Sequence, residues 1–202
     1  SSYYTEHFDL VDFDQDGDQD IFIGCRVKKW GFPRANQSHV LVNTNGNFQR
    51  SQELSFDLGM VTDAIWTDYD HDGWVDLLIA REWNSLALLH NNQGVLKEVK
   101  LPELEAKHGL WSSLAAGDFD ADGDTDFVVG NLGLNHRFTI SDEFPMRVYA
   151  LDLDKNGFLD PISTAYWKDE HGVMQEYPIN YLDELASQSP FFRKLFTSYT
   201  KF

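Results

Sequence analysis

One nine-residue pattern, D-x-D-x-[DN]-G-x-x-D, occurs four times in the chain and constrains its fold more than any other feature. The four copies are DFDQDGDQD at 12–20, DYDHDGWVD at 68–76, DFDADGDTD at 118–126 and DLDKNGFLD at 152–160. Self-similarity at intervals of about 40 to 50 residues is typical of propeller repeats, each of which forms one small sheet, or blade. The copies begin 56, 50 and 34 residues apart, and the short last interval predicts a trimmed blade.

Each copy lies between two short segments rich in the β-branched and aromatic residues that suit a half-buried strand. The segments are 7–11, 64–67, 113–116 and 147–151 before the loops, and 21–24, 77–80, 127–130 and 161–164 after them. A further hairpin is predicted at 40–48 and at 86–95, because Asn-Gly and Asn-x-Gly sequences tolerate the positive φ of tight turns. In the third repeat residues 131–138 replace that hairpin, so we expect an irregular outer part.

These strands predict an all-β fold of about four propeller blades over residues 1–180. The remaining residues, 181–202, depart from the repeat. Residues 181–188 favour a helix, and Ser189-Pro190 is typical of an N-cap followed by proline at the first helical position. An apolar stripe at helical spacing follows, formed by Phe192, Leu195, Phe196 and Tyr199. We therefore expect a short helical tail or the start of a further blade.

The alternating acids of each loop predict a site for Ca²⁺, which takes six to eight oxygen ligands. Positions 1, 3, 5 and 9 offer side-chain oxygens, position 7 offers a backbone carbonyl, and the glycine at position 6 permits the sharp turn. The predicted ligands are Asp12, Asp14, Asp16, Asp18 and Asp20; Asp68, Asp70, Asp72, Trp74 and Asp76; Asp118, Asp120, Asp122, Asp124 and Asp126; and Asp152, Asp154, Asn156, Phe158 and Asp160.

Two other interpretations of the pattern are weaker. An EF-hand requires a glutamate at position 12 and a helix on either side, whereas position 12 lies inside a predicted strand and is Ile23, Ile79, Val129 or Ser163. Solvated aspartate turns explain a single motif but not four copies at blade-like spacing. Because calcium affinity follows ligand charge, the fourth loop, with Asn156 in place of aspartate, is predicted to bind most weakly.

Together with their strands and hairpins, the loops resemble the FG-GAP or VCBS repeats of integrin-α-like β-propellers. The resemblance covers most of residues 7–164. The stretch Gly130-Asn131-Leu132-Gly133-Leu134-Asn135, followed by residues 148–152, is similar to bacterial secreted or surface VCBS-repeat proteins. The resemblance implies one Ca²⁺ per loop, up to four in all, and a propeller that usually closes with seven blades.

Four repeats leave three arrangements open. The chain is a fragment of a longer propeller, an incomplete propeller capped by the C-terminal helices, or one of two chains that pair to complete a ring. We favour the fragment, because a stack of sheets with open ends exposes apolar faces and strand edges.

The charge of the chain limits its partners. Its 16 basic and 33 acidic residues give a net charge of −17, which disfavours nucleic acid and anionic membranes. No apolar run approaches the roughly 20 residues of a membrane span, so we expect no membrane insertion. Cys25, the single cysteine, lies in an apolar stretch and is interpreted as a small buried hydrophobe.

The leading hypothesis is a non-catalytic binding or adhesion scaffold for a protein or carbohydrate partner. Millimolar calcium outside cells suits such loops, so we expect an extracellular or cell-surface location, with the periplasm as the alternative. Aromatic residues in predicted loops could stack on sugars or pack between blades; they are Trp30, Phe32, Trp83 and Trp111.

Two rival hypotheses remain. One is the propeller part of a calcium-assisted polysaccharide-active enzyme, with a histidine such as His136 as its base, although the seven histidines fall in no nucleophile or zinc signature. The other is a module that only spaces or assembles larger domains.

Overall fold

A computed structural model describes residues 5–133, 135, 137–138 and 140–195 of the chain. Four residues discussed above lie outside the described residues: Leu134, His136, Phe196 and Tyr199. The chain divides into two compact units, one formed by residues 1–29 and 34–133 and the other by residues 30–33 and 134–202. None of the helices in the described part is long and apolar enough to cross a membrane.

The first unit contains three blades built from antiparallel strands. Blade 1 comprises β1 (Thr5–Val11), β2 (Asp20–Cys25), β3 (Ser38–Thr44) and β4 (Asn47–Phe56), and blade 2 comprises β5 (Met60–Thr67), β6 (Asp76–Asn84), β7 (Ala87–Asn92) and β8 (Val95–Val99). A short helix, α1 (Pro102–Glu105), leads to blade 3, which contains β9 (Gly109–Gly117) and β10 (Asp126–Asn131). Because β9 also pairs with β6, blades 2 and 3 form one six-stranded sheet. Within blades 1 and 2 each strand pairs with the next along the chain.

The hydrophobic core of this unit lies between blades 1 and 2. Phe22 of β2 is fully buried and meets Trp66 of β5 edge to face, with ring centroids 6.4 Å apart. The blades approach so closely that a Cβ at Gly24 would lie 2.8 Å from Val61 Cγ1. Arg26 also forms an ion pair with Glu82, in which Arg26 Nη2 and Nε lie 2.7 and 2.8 Å from Glu82 Oε2. Cys25 is fully buried, as expected, and burial raises the pKa of its thiol.

The second unit contains a three-stranded antiparallel sheet followed by helices. The strands are β11 (Arg147–Leu151), β12 (Asp160–Lys168) and β13 (Met174–Pro178), and the helices are α2 (Leu182–Gln188) and α3 (Pro190–Leu195). The helical tail predicted from Ser189-Pro190 is therefore confirmed as far as residue 195.

One face of this sheet carries a polar network around Glu176. Its carboxylate accepts hydrogen bonds from Thr164 Oγ1 at 2.5 Å, Arg147 Nη1 at 3.0 Å, Tyr166 OH at 3.1 Å and Tyr149 OH at 3.2 Å. Desolvation raises the pKa of Glu176, but the hydrogen bonds outweigh it, and the pKa lies below its ordinary value. The network joins all three strands of the sheet.

The all-β prediction, the strands on either side of each loop and the two outer hairpins are confirmed. The irregular outer part of blade 3 is confirmed too, since no described residue between Asn131 and Arg147 lies in a strand. The placement of two aromatic residues in loops is wrong: Trp83 lies in β6 and Trp111 in β9. Strand β6 continues beyond its apolar segment to Asn84, because Glu82 pairs with Met60 of β5 and with Leu110 of β9. Trp30 and Phe32 do lie in a turn.

Candidate metal centres

The four acidic loops share one backbone conformation. The residue at position 4 is left-handed in each, with φ between 59° and 63°, and the glycine at position 6 has φ between 90° and 98°. A Cβ at any of these glycines would meet nothing within 4 Å. Glycine is therefore required by the backbone angle and not by lack of space.

This conformation directs two backbone N–H groups at the first carboxylate. In the first loop Asp16 N donates to Asp12 Oδ1 at 3.1 Å and Gly17 N donates to Asp12 Oδ2 at 3.0 Å. The same pair of bonds recurs at Asp68, Asp118 and Asp152, with distances from 2.9 to 3.2 Å. The position 1 side chain is thus oriented by the loop itself.

The carboxylate at position 9 returns from the following strand and closes each loop. Its Oδ2 accepts the backbone N–H of position 2, at 3.3, 3.2, 2.9 and 2.9 Å in the four loops. Asp20 and Asp76 are fully buried and Asp160 is 4% exposed, whereas Asp126 is half-buried. A buried carboxylate in each of three loops is costly unless charge or hydrogen bonds compensate it.

The structure brings three of the predicted ligand carboxylates together in each loop. In each loop three carboxylates contribute oxygens within 4.8 Å of one another: Asp12, Asp14 and Asp20; Asp68, Asp70 and Asp72; Asp118, Asp120 and Asp122; and Asp152, Asp154 and Asp160. Burial, followed by repulsion from Asp16, raises the pKa of Asp14, and burial raises the pKa of Asp20. Crowded oxygen donors of this kind fit a hard divalent cation such as Ca²⁺.

The residue at position 7 of each loop donates its backbone N–H to a side chain of the same loop. The N–H of Asp18, Trp74, Asp124 and Phe158 donates to the position 5 side chain at 2.8, 2.8, 3.1 and 2.8 Å. The side chain of Asp18 accepts a bond from Asn45 N at 2.6 Å. A hydrogen bond with the Asp122 side chain, followed by repulsion from the Asp122 charge, raises the pKa of the Asp124 carboxyl.

Two buried asparagines that support the loops were missed by the sequence analysis. Asn43 N and Asn91 N donate to Oδ1 of Asp20 and Asp76, at 2.8 and 2.7 Å. Their side-chain amides donate to the position 8 carbonyls, and their Oδ1 atoms accept the N–H of the glycine three residues later at 2.8 Å. The signal was an N-x-x-G sequence at the same place in both hairpins, which we interpreted only as a turn.

The second loop also receives a histidine from its third strand. His90 Nδ1 lies 3.0 Å from Asp76 Oδ1 and 3.6 Å from Asp70 Oδ2. The residue before the matching asparagine in blade 1 is Val42. The second loop therefore has an imidazole nitrogen beside its carboxylates, whereas blade 1 has an apolar side chain at the matching position.

Comparison with known proteins points to a repeat family. A family model described as an FG-GAP-like repeat matches residues 12–79 and 68–129. The two matches overlap and together contain the first three acidic loops. A search of curated proteins found no match.

Proposed function

Because the chain belongs to the FG-GAP-like repeat family, we propose that it is a calcium-binding β-propeller module. It acts as a non-catalytic extracellular or cell-surface scaffold for a protein or carbohydrate partner. The observation that carries the proposal is the convergence of three carboxylates within 4.8 Å in each of four loops. Uncompensated carboxylates at such distances repel one another, which favours occupancy by a cation.

Each loop would hold its ion with residues of the turn and of the strand that follows it. Positions 1, 3 and 5 belong to the turn, and position 9 begins the next strand, so an ion would link the turn to that strand. When bound, Ca²⁺ supplies the positive charge that offsets the carboxylates. The chain orients its ligands through the N–H groups of positions 5 and 6, and holds Asp20 and Asp76 through Asn43 and Asn91.

Four glycine amides provide a site-resolved test of calcium binding. Gly17, Gly73, Gly123 and Gly157 each donate to a position 1 carboxylate. In protein labelled with ¹⁵N-glycine, we expect these four amide signals to move as calcium is added after chelation. Gly172, whose N–H donates to Asp169 O outside the loops, is the internal control. Amide signals that stay in place, or that move equally with sodium chloride, would contradict the proposal.

The same titration tests the rank of the fourth loop. Asn156 contributes a neutral oxygen where the other loops have aspartate, so the Gly157 signal should respond at the highest calcium concentration. Asn156→Asp is expected to tighten this loop by roughly threefold to tenfold, since affinity rises with ligand charge. The three other glycine signals should keep their midpoints. A wild-type fourth loop that fills first would show that the missing charge does not govern the order.

A further inference from the structure

The C-terminal unit contains a cavity that is separate from its calcium loop. The cavity has a volume of about 490 Å³, within the range of about 300 to 1,000 Å³ that is typical of small-molecule sites. Its lining combines aromatic rings with a few polar side chains. The lining includes Arg137, Phe138, Trp167, Tyr177, Asn180 and Tyr181.

The aromatic rings form an ordered stack on one face of the sheet. Trp167 stacks with two rings, with its centroid 5.3 Å from Tyr177 and 5.8 Å from Phe138 and interplanar angles of 16° and 18°. The guanidinium of Arg137 covers the Phe138 ring at 5.2 Å. Trp167 is still 37% exposed and Tyr181 60% exposed. Aromatic surface therefore remains open to a ligand beside the stack.

The polar groups of the lining are held in place by neighbours. Arg137 Nη2 donates a hydrogen bond of 3.4 Å to the Ile179 carbonyl oxygen. Glu184 accepts bonds from Asn180 Nδ2 at 3.2 Å and from Tyr181 N at 3.0 Å. These contacts position the guanidinium and the carboxamide at the cavity and hold the backbone of Tyr181, whose phenol belongs to the lining. A guanidinium has five N–H donors and a carboxamide two, more than these contacts use.

The charge of the lining is opposite to that of the chain. The net charge is −17, yet the lining residues among those described include one cation, Arg137, and no carboxylate. The cavity is thus a local exception on an acidic protein. Charge complementarity favours a ligand that carries an anionic group.

We propose that this cavity binds a carboxylated saccharide, that is, a uronic acid unit of an acidic polysaccharide. The C–H faces of a pyranose ring suit exposed aromatic surface, and a guanidinium recognises a carboxylate with two parallel hydrogen bonds. Asn180 and the Tyr181 hydroxyl offer donors and acceptors for the ring hydroxyls. The inference rests on the proposed scaffold function and specifies its carbohydrate partner.

The test compares an acid with its own neutral form. Binding of a short oligogalacturonide and of its methyl ester to the calcium-loaded chain is measured by calorimetry, because the ester keeps the shape and removes the charge. We expect the acid to bind at least about tenfold more tightly than the ester. Arg137→Met should abolish this preference while weak binding of the ester persists. Arg193→Met, an exposed arginine of α3 outside the lining, should leave the preference unchanged.

A second variant protects the test against a folding defect at Arg137. Asn180→Asp places a negative charge in the lining and should weaken binding of the acid more than that of the ester, since the ester loses only the amide donor whereas the acid also meets charge repulsion. Equal affinity for acid and ester in the wild type, or a preference that survives Arg137→Met, would overturn the proposal. So would acid binding that disappears on chelation but is insensitive to Arg137→Met, because the loop cations would then hold the acid. The glycine-amide titration reports separately on the calcium loops, so failure of either proposal is visible without the other.

Discussion

Calcium added to the chelated protein is expected to raise its melting temperature by about 5 to 10 °C for each loop that fills. A ligand at a hundredfold excess over its Kd stabilises the folded state by about 2.7 kcal/mol per site. For a chain of this size, each kcal/mol shifts the melting temperature by about 2 to 4 °C. The unfolded chain cannot converge its carboxylates, so calcium binds the folded state selectively. The measurement is thermal unfolding with and without calcium, after chelation.

Two controls separate binding from general charge screening. Magnesium should have a much smaller effect, because it demands a tighter octahedral shell than these loops provide. Sodium chloride at matched ionic strength screens the acidic surface without filling a loop. Asp68→Asn should remove part of the calcium-induced shift, whereas Asp57→Asn, at an exposed aspartate outside the loops, should retain all of it. If calcium and magnesium give the same small shift, the acidic loops are solvated turns.

Replacement of Asn91 by alanine is expected to destabilise the protein by about 3 kcal/mol or more, the largest effect that we predict for a single substitution. Asn91 is fully buried. Its side chain donates to Phe13 O at 2.8 Å and to Val75 O at 3.0 Å, and accepts Gly94 N at 2.8 Å. Alanine leaves the buried Phe13 carbonyl and the half-buried groups of Val75 and Gly94 without these bonds, at about 1 to 3 kcal/mol for a buried unsatisfied group and less for the others. Urea unfolding of chelated protein measures the loss directly.

A neighbouring residue provides the matched control. Asn92 is exposed, so Asn92→Ala should change the free energy of unfolding by no more than about 0.5 kcal/mol. Asn43→Ala removes the equivalent bonds in blade 1, to Gln19 O and from Gly46 N. Asn91 makes one further bond, to Phe13 O of the neighbouring blade. The effect of Asn43→Ala should therefore be intermediate. A loss at Asn91 no larger than that at Asn92 would mean that water replaces the asparagine at little cost.

The parts of the molecule that could be predicted are those encoded over short distances. Each acidic loop is nine consecutive residues, and its turn depends on a glycine with positive φ and on N–H groups four and five residues from the first aspartate. Such contacts recur wherever the nine residues recur. The adjoining strands follow from their local composition for the same reason. The repeat interval added the assignment to blades, which the family match supports.

The failures of the sequence analysis all involve partners distant along the chain. Trp83 and Trp111 were predicted to lie in loops. Their neighbours instead pair β6 with β9, and this pairing depends on two blades packing together, which the local sequence does not show. The support that Asn91 gives to Asp76, and its bond to Phe13, join segments that only the folded sheets bring together. The N-x-x-G sequence marks the asparagine, but it does not identify Asp76 or Phe13 as its partner.

The sequence by itself thus determined the loops, their glycine turns and the strands that flank them, since their defining contacts lie within a few residues. The tertiary structure alone decided which asparagines support the loops, how closely blades 1 and 2 pack at Gly24 and Val61, and that Phe138, Trp167 and Tyr177 stack beside Arg137. The physical reason is that these contacts depend on the register of paired strands and on burial between blades, which arise only when distant segments fold together.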